Sequence, residues 1–241
     1  MLYYLAGITS ILVIILLVSS LINIAGADEV NQKARYGNKC DIKKQVSLTD
    51  PKTGIDCTIA FCDNTCEHGY PHTINETTIM IPEGYSKDRL PTTIEHEKIH
   101  LLQRRHPFVW EGWYKALWSY TIQAEPPAKM PTVLLNLRRY NPDTNDKPFA
   151  CWRSRYWPLP IFTSTNPGSI AEAKTIWWDQ QTGSISEEAP PEWADFFGRQ
   201  PQDEHPHEMA AQMIANGAGN KNRSQELVAI YEKHFYLKDR R

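Results

Sequence analysis

The chain has 241 residues, 41% apolar and 22% charged, with a formal net charge of −2. That length allows one sizeable domain or one domain with appendages, and the composition is that of a globular rather than a disordered protein. The charge balance removes any electrostatic case for nucleic-acid binding, and eight Trp with seventeen Pro point to long loops pinned by aromatic side chains.

No residue from Leu5 to Ala27 is charged. Such a run is long enough to cross a bilayer, so residues 1–27 are expected to form one transmembrane helix, with a cleaved signal peptide and secretion as the alternative because Ala25-Gly26-Ala27 resembles a cleavage site. The length of the apolar run and the lack of a basic segment before it favour the anchor. Lys33, Arg35, Lys39, Lys43 and Lys44 favour a cytoplasmic body. The five cysteines, with the sequons at Asn75 and Asn222, favour a lumenal or exterior one. The expectation is a single-pass N-terminal anchor in the lipid bilayer with the body lumenal or exterior.

Residues 28–75 read as a cysteine-containing, membrane-proximal segment with short strands. The series Cys57, Cys62, Cys66, His68, His72 has two readings, disulfides or a small structural zinc site, and its spacing matches no common zinc-finger pattern. Thr77 to Pro82 is β-branched and ends at proline, which predicts a strand that could lie at a sheet edge. Thr92 and Glu95 fit a capping box, with Pro91 just outside, so a helix is expected from about Thr93 to Arg105, stopping before Pro107. A second helix, about Phe108 to Thr121, carries Trp110, Trp113, Tyr114, Leu117 and Trp118 at helical spacing, read as core packing rather than a substrate platform. Strands are expected around Val133–Leu137, Ala150–Trp157 and Thr175–Asp179. A helix follows over about 204–215, with Pro206 at its first position and Gly217 as its stop, and a final amphipathic helix over about Ser224 to Leu237.

The chemistry concentrates in His96-Glu97-Lys98-Ile99-His100. This is H-E-x-x-H on a helix, where residues four apart share one face, so the two imidazoles can hold one metal ion with the glutamate beside it. A catalytic zinc takes three protein ligands and keeps its fourth position for water. His106 is one candidate for the third. The metzincin frame, however, has glycine where this chain has Gln103, and in a continuing helix His106 lies about 120° from His100. Glu208 is the better candidate, in the first turn of a separate helix whose dipole favours an ionised carboxylate. Gln212, one turn on, is a candidate hydrogen-bond partner for a ligand histidine.

These two segments, 93–102 and 205–211, resemble those of the zincin superfamily of metallopeptidases, in its gluzincin branch. Lys98 departs from the family pattern, where an uncharged residue is usual, and Gln212 stands where aspartate is common. The resemblance implies an α+β, zincin-like fold with the active-site helix packed against a small sheet and a mainly helical C-terminal part, preceded by the transmembrane helix. Residues 76–241 would be the catalytic domain. It further implies a Zn2+ cofactor on His96, His100 and Glu208, and Glu97 as general base on the zinc-bound water. Peptide or protein substrates would lie along the edge strand. Tyr140, Tyr156, His205 and His207 are candidates for stabilising the oxyanion. A catalytically silent zincin-fold protein and a zinc hydrolase of a non-peptide bond are the alternatives.

Overall fold

The computed structural model describes residues 40–237, apart from 145, 163–166, 168, 169, 200 and 201. The fold is α+β, with two sheets and six helices among the described residues. The first sheet contains β1 (Ile42–Thr49), β2 (Asp56–Cys62), β3 (His72–Thr73) and β4 (Thr78–Pro82), in the order β1-β2-β4-β3. β2 and β4 run parallel, with Ile59 beside Ile79, and the other pairs are antiparallel.

Two helices follow, α1 (Leu90–Arg105) and α2 (Pro107–Trp118), then the second sheet. That sheet is an antiparallel meander of β5 (Tyr120–Gln123), β6 (Phe149–Trp152), β7 (Tyr156–Phe162), β8 (Ala173–Asp179) and β9 (Ile185–Ser186), with α3 (Thr132–Leu137) between β5 and β6. The chain ends in α4 (Pro191–Phe197), α5 (Pro206–Asn216) and α6 (Lys221–Phe235).

The main core lies where both sheets and most helices meet. It takes Ile59, Ile79 and Ile81 from the first sheet, Leu101 and Leu102 from α1, Trp152 and Trp177 from the second sheet, and Met209 and Met213 from α5. The aromatic residues of α2 are core: Trp110, Tyr114 and Trp118 are each at most 1% exposed. A second core, with Leu134, Trp157, Leu159 and Trp178, fills the opposite face of the second sheet under α3. Neighbouring Trp177 and Trp178 thus point into different cores, as the two-residue strand period requires. Pro158 and Pro160 are tolerated in β7 because β6 pairs with it only at Tyr156, so no ladder bond is lost on that side.

Several expectations need correction. The strand expected over Val133–Leu137 is the helix α3; a short apolar run does not choose between the two periods. Ala150–Trp157 is two strands joined by a turn in which Arg153 and Ser154 have φ of 51° and 52°, the left-handed pair of a tight hairpin. No glycine announces it. The helix α1 begins at Leu90, so Pro91 lies inside its first turn and the capping box does not form; Arg89 is the cap, without a side-chain bond. β4 lies inside its sheet between β2 and β3, so it is no edge for an added peptide strand. The sheet component is larger than the single small sheet expected.

The membrane expectation is also corrected. Among the described residues no helix is long and apolar enough to cross a membrane, and the apolar run over 5–27 lies outside them. The fold preceded by a transmembrane helix, the single-pass localisation and the bilayer as partner are therefore not carried further.

The cysteines resolve towards a disulfide. Cys40 is joined to Cys66, while Cys57, Cys62 and Cys151 are free and buried. After Cys66 comes a tight turn in which Glu67, His68 and Gly69 all have left-handed φ (42°, 54° and 84°). It drives Glu67 inside, where Oε1 has no hydrogen-bond partner among the described residues. Burial pushes its carboxyl up to about 8; the charge of Asp143 adds to this and that of Arg139 opposes it. The folded chain thus keeps a proton that the unfolded chain releases at the ordinary value of ~4.3. Stability from this group is present at low pH and is lost as pH rises between those two values. Glu67→Gln should therefore unfold at a higher temperature than the parent at pH 8 and at the same temperature at pH 4. Parallel melting curves at both pH values would refute this.

Candidate metal centre

The helix α1 brings His96, Glu97 and His100 to its buried side, and the first turn of α5 brings Glu208 against them. α5 packs directly on α1, with Ala210 and Ala211 fully buried in the main core. His205 caps α5 through its Nδ1, which accepts from the His207 amide at 3.1 Å. Pro206 opens the helix and Gly217, with φ of 72°, closes it, as expected.

Three donor atoms converge. His96 Nε2 and His100 Nε2 are 3.0 Å apart, and Glu208 Oε2 lies 3.3 Å from the first and 3.5 Å from the second. Bonds of ~2.0–2.1 Å in a tetrahedral site separate donor atoms by ~3.3 Å. The observed triangle is that size before any adjustment, and the three residues can hold a metal ion.

Neighbours fix the donors' orientation. His100 Nδ1 lies 2.7 Å from Gln103 Oε1. The Gln103 amide nitrogen donates to the Tyr114 hydroxyl and to the His207 carbonyl, both at 3.0 Å, so its oxygen must face His100. His100 therefore carries a proton on Nδ1, and Nε2 is the atom left to bind an ion, which displaces any proton held there. Glu208 is held through its other oxygen, Oε1, which accepts from Asn141 Nδ2 at 2.9 Å. Replacing Gln103 or Asn141 by alanine should weaken metal binding ~10–100-fold while all three donors remain. Competition with a chromophoric chelator measures this; unchanged affinity in both variants would exclude the positioning role.

The electrostatics ask for a cation. Burial by itself would lower His100, yet the carboxylates of Glu208 and Asp143 hold it up to about 10. Burial would raise Glu208, but His100 and His96 keep it well below the usual carboxylate range. Burial, then the charge of Asp143, pushes Glu97 well above that range, against His100. Glu97 Oε2 is buried without a hydrogen-bond partner among the described residues. A divalent ion at the triad fits this set, because it satisfies three converging lone pairs and supplies the positive charge that keeps Glu97 ionised.

His96 and Glu97 also line a cleft of about 480 Å3. Tyr70, Tyr85 and Arg89 line it too, as do Gln212 and Asn216 of α5. His100 and Glu208 are sealed behind, with side chains 1% and 3% exposed, so the centre meets the cleft at His96.

The other candidates stand elsewhere. His106 ends α1 and packs its ring against Phe235 at 5.3 Å. Gln212 bonds Gln202 at 2.7 Å rather than a histidine; Gln103 takes the part expected of it. Tyr156 donates to Glu192 at the surface, and Tyr140 packs with Phe162 and Ile170. His205 is occupied as a cap, with Nε2 also bonded to the Lys147 carbonyl at 3.0 Å. His207 lies beside Glu208 in sequence and packs its ring against Tyr114 at 5.5 Å; its Nδ1 is buried without a hydrogen-bond partner among the described residues, and burial lowers it well below the ordinary histidine value. Asn141 and Asp143 carry no sequence signal beyond a turn, since Asn-Pro-Asp is common loop punctuation. Gln103 could have been found, because residues three apart on a helix face each other.

Comparison with known proteins finds no matching family model, no matching curated protein and no matching solved structure.

Proposed function

We propose that this chain is a zinc-dependent peptidase of the zincin type, with His96, His100 and Glu208 as the ligands and Glu97 as the general base. The observation that carries this reading is the convergence of three metal donors beside an unpartnered buried carboxylate at the wall of an open cleft. Two imidazoles and a carboxylate are a donor set suited to zinc, and three protein ligands are the number found in catalytic rather than structural sites. Zinc held there supplies Lewis acidity towards a carbonyl and makes water acidic enough to attack near neutral pH.

The chain's own groups do the rest. Glu97 accepts the proton of the attacking water and returns it to the leaving nitrogen. Gln103 and Asn141 keep the His100 and Glu208 donor atoms in place, so no reorganisation is needed when substrate arrives. The cleft, lined by Tyr85, Gln212 and Asn216 among others, receives a polar stretch of substrate. Tyr70, Tyr85 and Arg89 are among the hydrogen-bond donors that line it and are candidates to meet a developing oxyanion.

The test is a peptide-mixture digest by the zinc-loaded chain, read by mass spectrometry for new N- and C-termini. Cleavage that stops with a chelator and returns with zinc is the expected result. Turnover of esters alone would assign the centre to a non-peptide bond, and no turnover of either would leave a zincin-type centre without catalysis.

A further inference from the structure

We propose that Cys40, Cys66 and His72 form a second metal site, closed while the two cysteines are joined and able to bind a thiophilic ion such as zinc once they are reduced. The proposal does not rest on the peptidase reading. The donor atoms of these three residues lie within 4.8 Å of one another, and none of them belongs to the centre on α1 and α5.

The geometry suits a site rather than a chance contact. His72 is 5% exposed, and its Nδ1 is 3.1 Å from the Tyr70 carbonyl. A carbonyl can only accept, so Nδ1 carries the proton and Nε2 is left with a lone pair. Cys40 and Cys66 have Cα atoms 5.1 Å apart. Their sulfurs need to separate only to ~3.7 Å to become two ligands of one tetrahedral ion with bonds of ~2.3 Å. Ala60, Cys62 and Met80 pack around the pair, which makes the surroundings dry and soft, as thiophilic ions prefer. The three donors come from separate stretches: Cys40 two residues before β1, Cys66 in the turn after β2, and His72 in β3.

The redox step balances with a dithiol as reductant. It gives two electrons and two protons to the Cys40–Cys66 bond, yields two thiols and becomes a disulfide itself. Each thiol then releases its proton to solvent as the ion binds, while His72 binds without a proton change. The site adjoins the cleft of the first centre, because the turn beginning at Cys66 leads to Tyr70 and Pro71 in the cleft wall.

The experiment uses the full chain and Co2+ as the probe. One sample is kept oxidised; the other is treated with dithiothreitol and desalted without oxygen. The reduced chain should bind one more Co2+ than the oxidised chain and gain a thiolate-to-cobalt charge-transfer band in the near ultraviolet. In a Glu208→Ala background the same band should appear with a single Co2+, which separates this site from the first centre. His72→Ala and Cys40→Ser should lose the band; Cys57→Ser and Cys151→Ser should keep it. Absence of the band after reduction of the parent chain, or its persistence in Cys40→Ser, would overturn the proposal.

Discussion

Glu97→Gln should lower peptide hydrolysis by about 10²–10⁴-fold, the usual contribution of a positioned acid–base group, while the chain keeps its full complement of zinc. The substitution preserves size and hydrogen-bonding capacity and removes the ability to take a proton. Glu97 is not among the three converging donors His96, His100 and Glu208, so removing its charge leaves those atoms in position. It is also buried, with Oε2 unpartnered, and a neutral amide costs less to hold there than a carboxylate, so the variant should fold at least as well as the parent. The measurement is kcat on the best peptide of the digest, together with zinc content and a melting curve on the same sample. Hydrolysis within about tenfold of the parent, at equal zinc, would remove Glu97 from the chemistry.

The second large effect concerns folding. Lys98→Ala should destabilise the chain by about 3–5 kcal/mol, the cost of leaving one member of a buried ion pair behind. Lys98 lies between the two ligand histidines in sequence, where the resembled family has an uncharged residue, and it is 7% exposed. Its ammonium reaches Asp50 at 2.6 Å and also Glu95. Asp50, 3% exposed, heads the turn between β1 and β2 by accepting from the Thr53 amide at 2.9 Å and hydroxyl at 2.7 Å. Lys98 therefore fastens the metal-bearing helix to the first sheet, and its removal strands a carboxylate in the interior. Lys98→Met with Asp50→Asn should recover most of the loss, because both charges then go together. Denaturant melts of the parent, both single variants and the double variant give the coupling directly. A single-variant loss below about 1 kcal/mol, the range of exposed ion pairs, would show that the pair does not hold the helix.

Legibility differed between local and distant contacts. His96 and His100 share a helix face by spacing alone, and the α5 boundaries follow from Pro206 and Gly217, because both features are local. The convergence of Glu208 is legible only as a hypothesis, since a sequence separation of more than a hundred residues says nothing of distance; the packing of α5 on α1 produces it. Asn141 and Asp143 were not legible, because a loop residue becomes a partner only through the path of the loop. For the second sheet the sequence predicts only separate strands, around Ala150–Trp157 and Thr175–Asp179. Trp177 and Trp178 in β8 and the prolines of β7 hide the two-residue period when a strand is buried on both faces. The capping box at Thr92 and Glu95 does not form because the helix starts at Leu90, two residues earlier; Glu95 pairs with Lys98 one turn on instead.

Metal analysis of the purified chain tests the central claim most directly. Zinc should be present at one equivalent per oxidised chain and should be lost in His100→Ala and in Glu208→Ala, with both variants still folded by circular dichroism. An oxidised parent chain that binds no zinc at micromolar concentrations, or a Glu208→Ala variant that holds it as tightly as the parent, would contradict the centre formed by His96, His100 and Glu208.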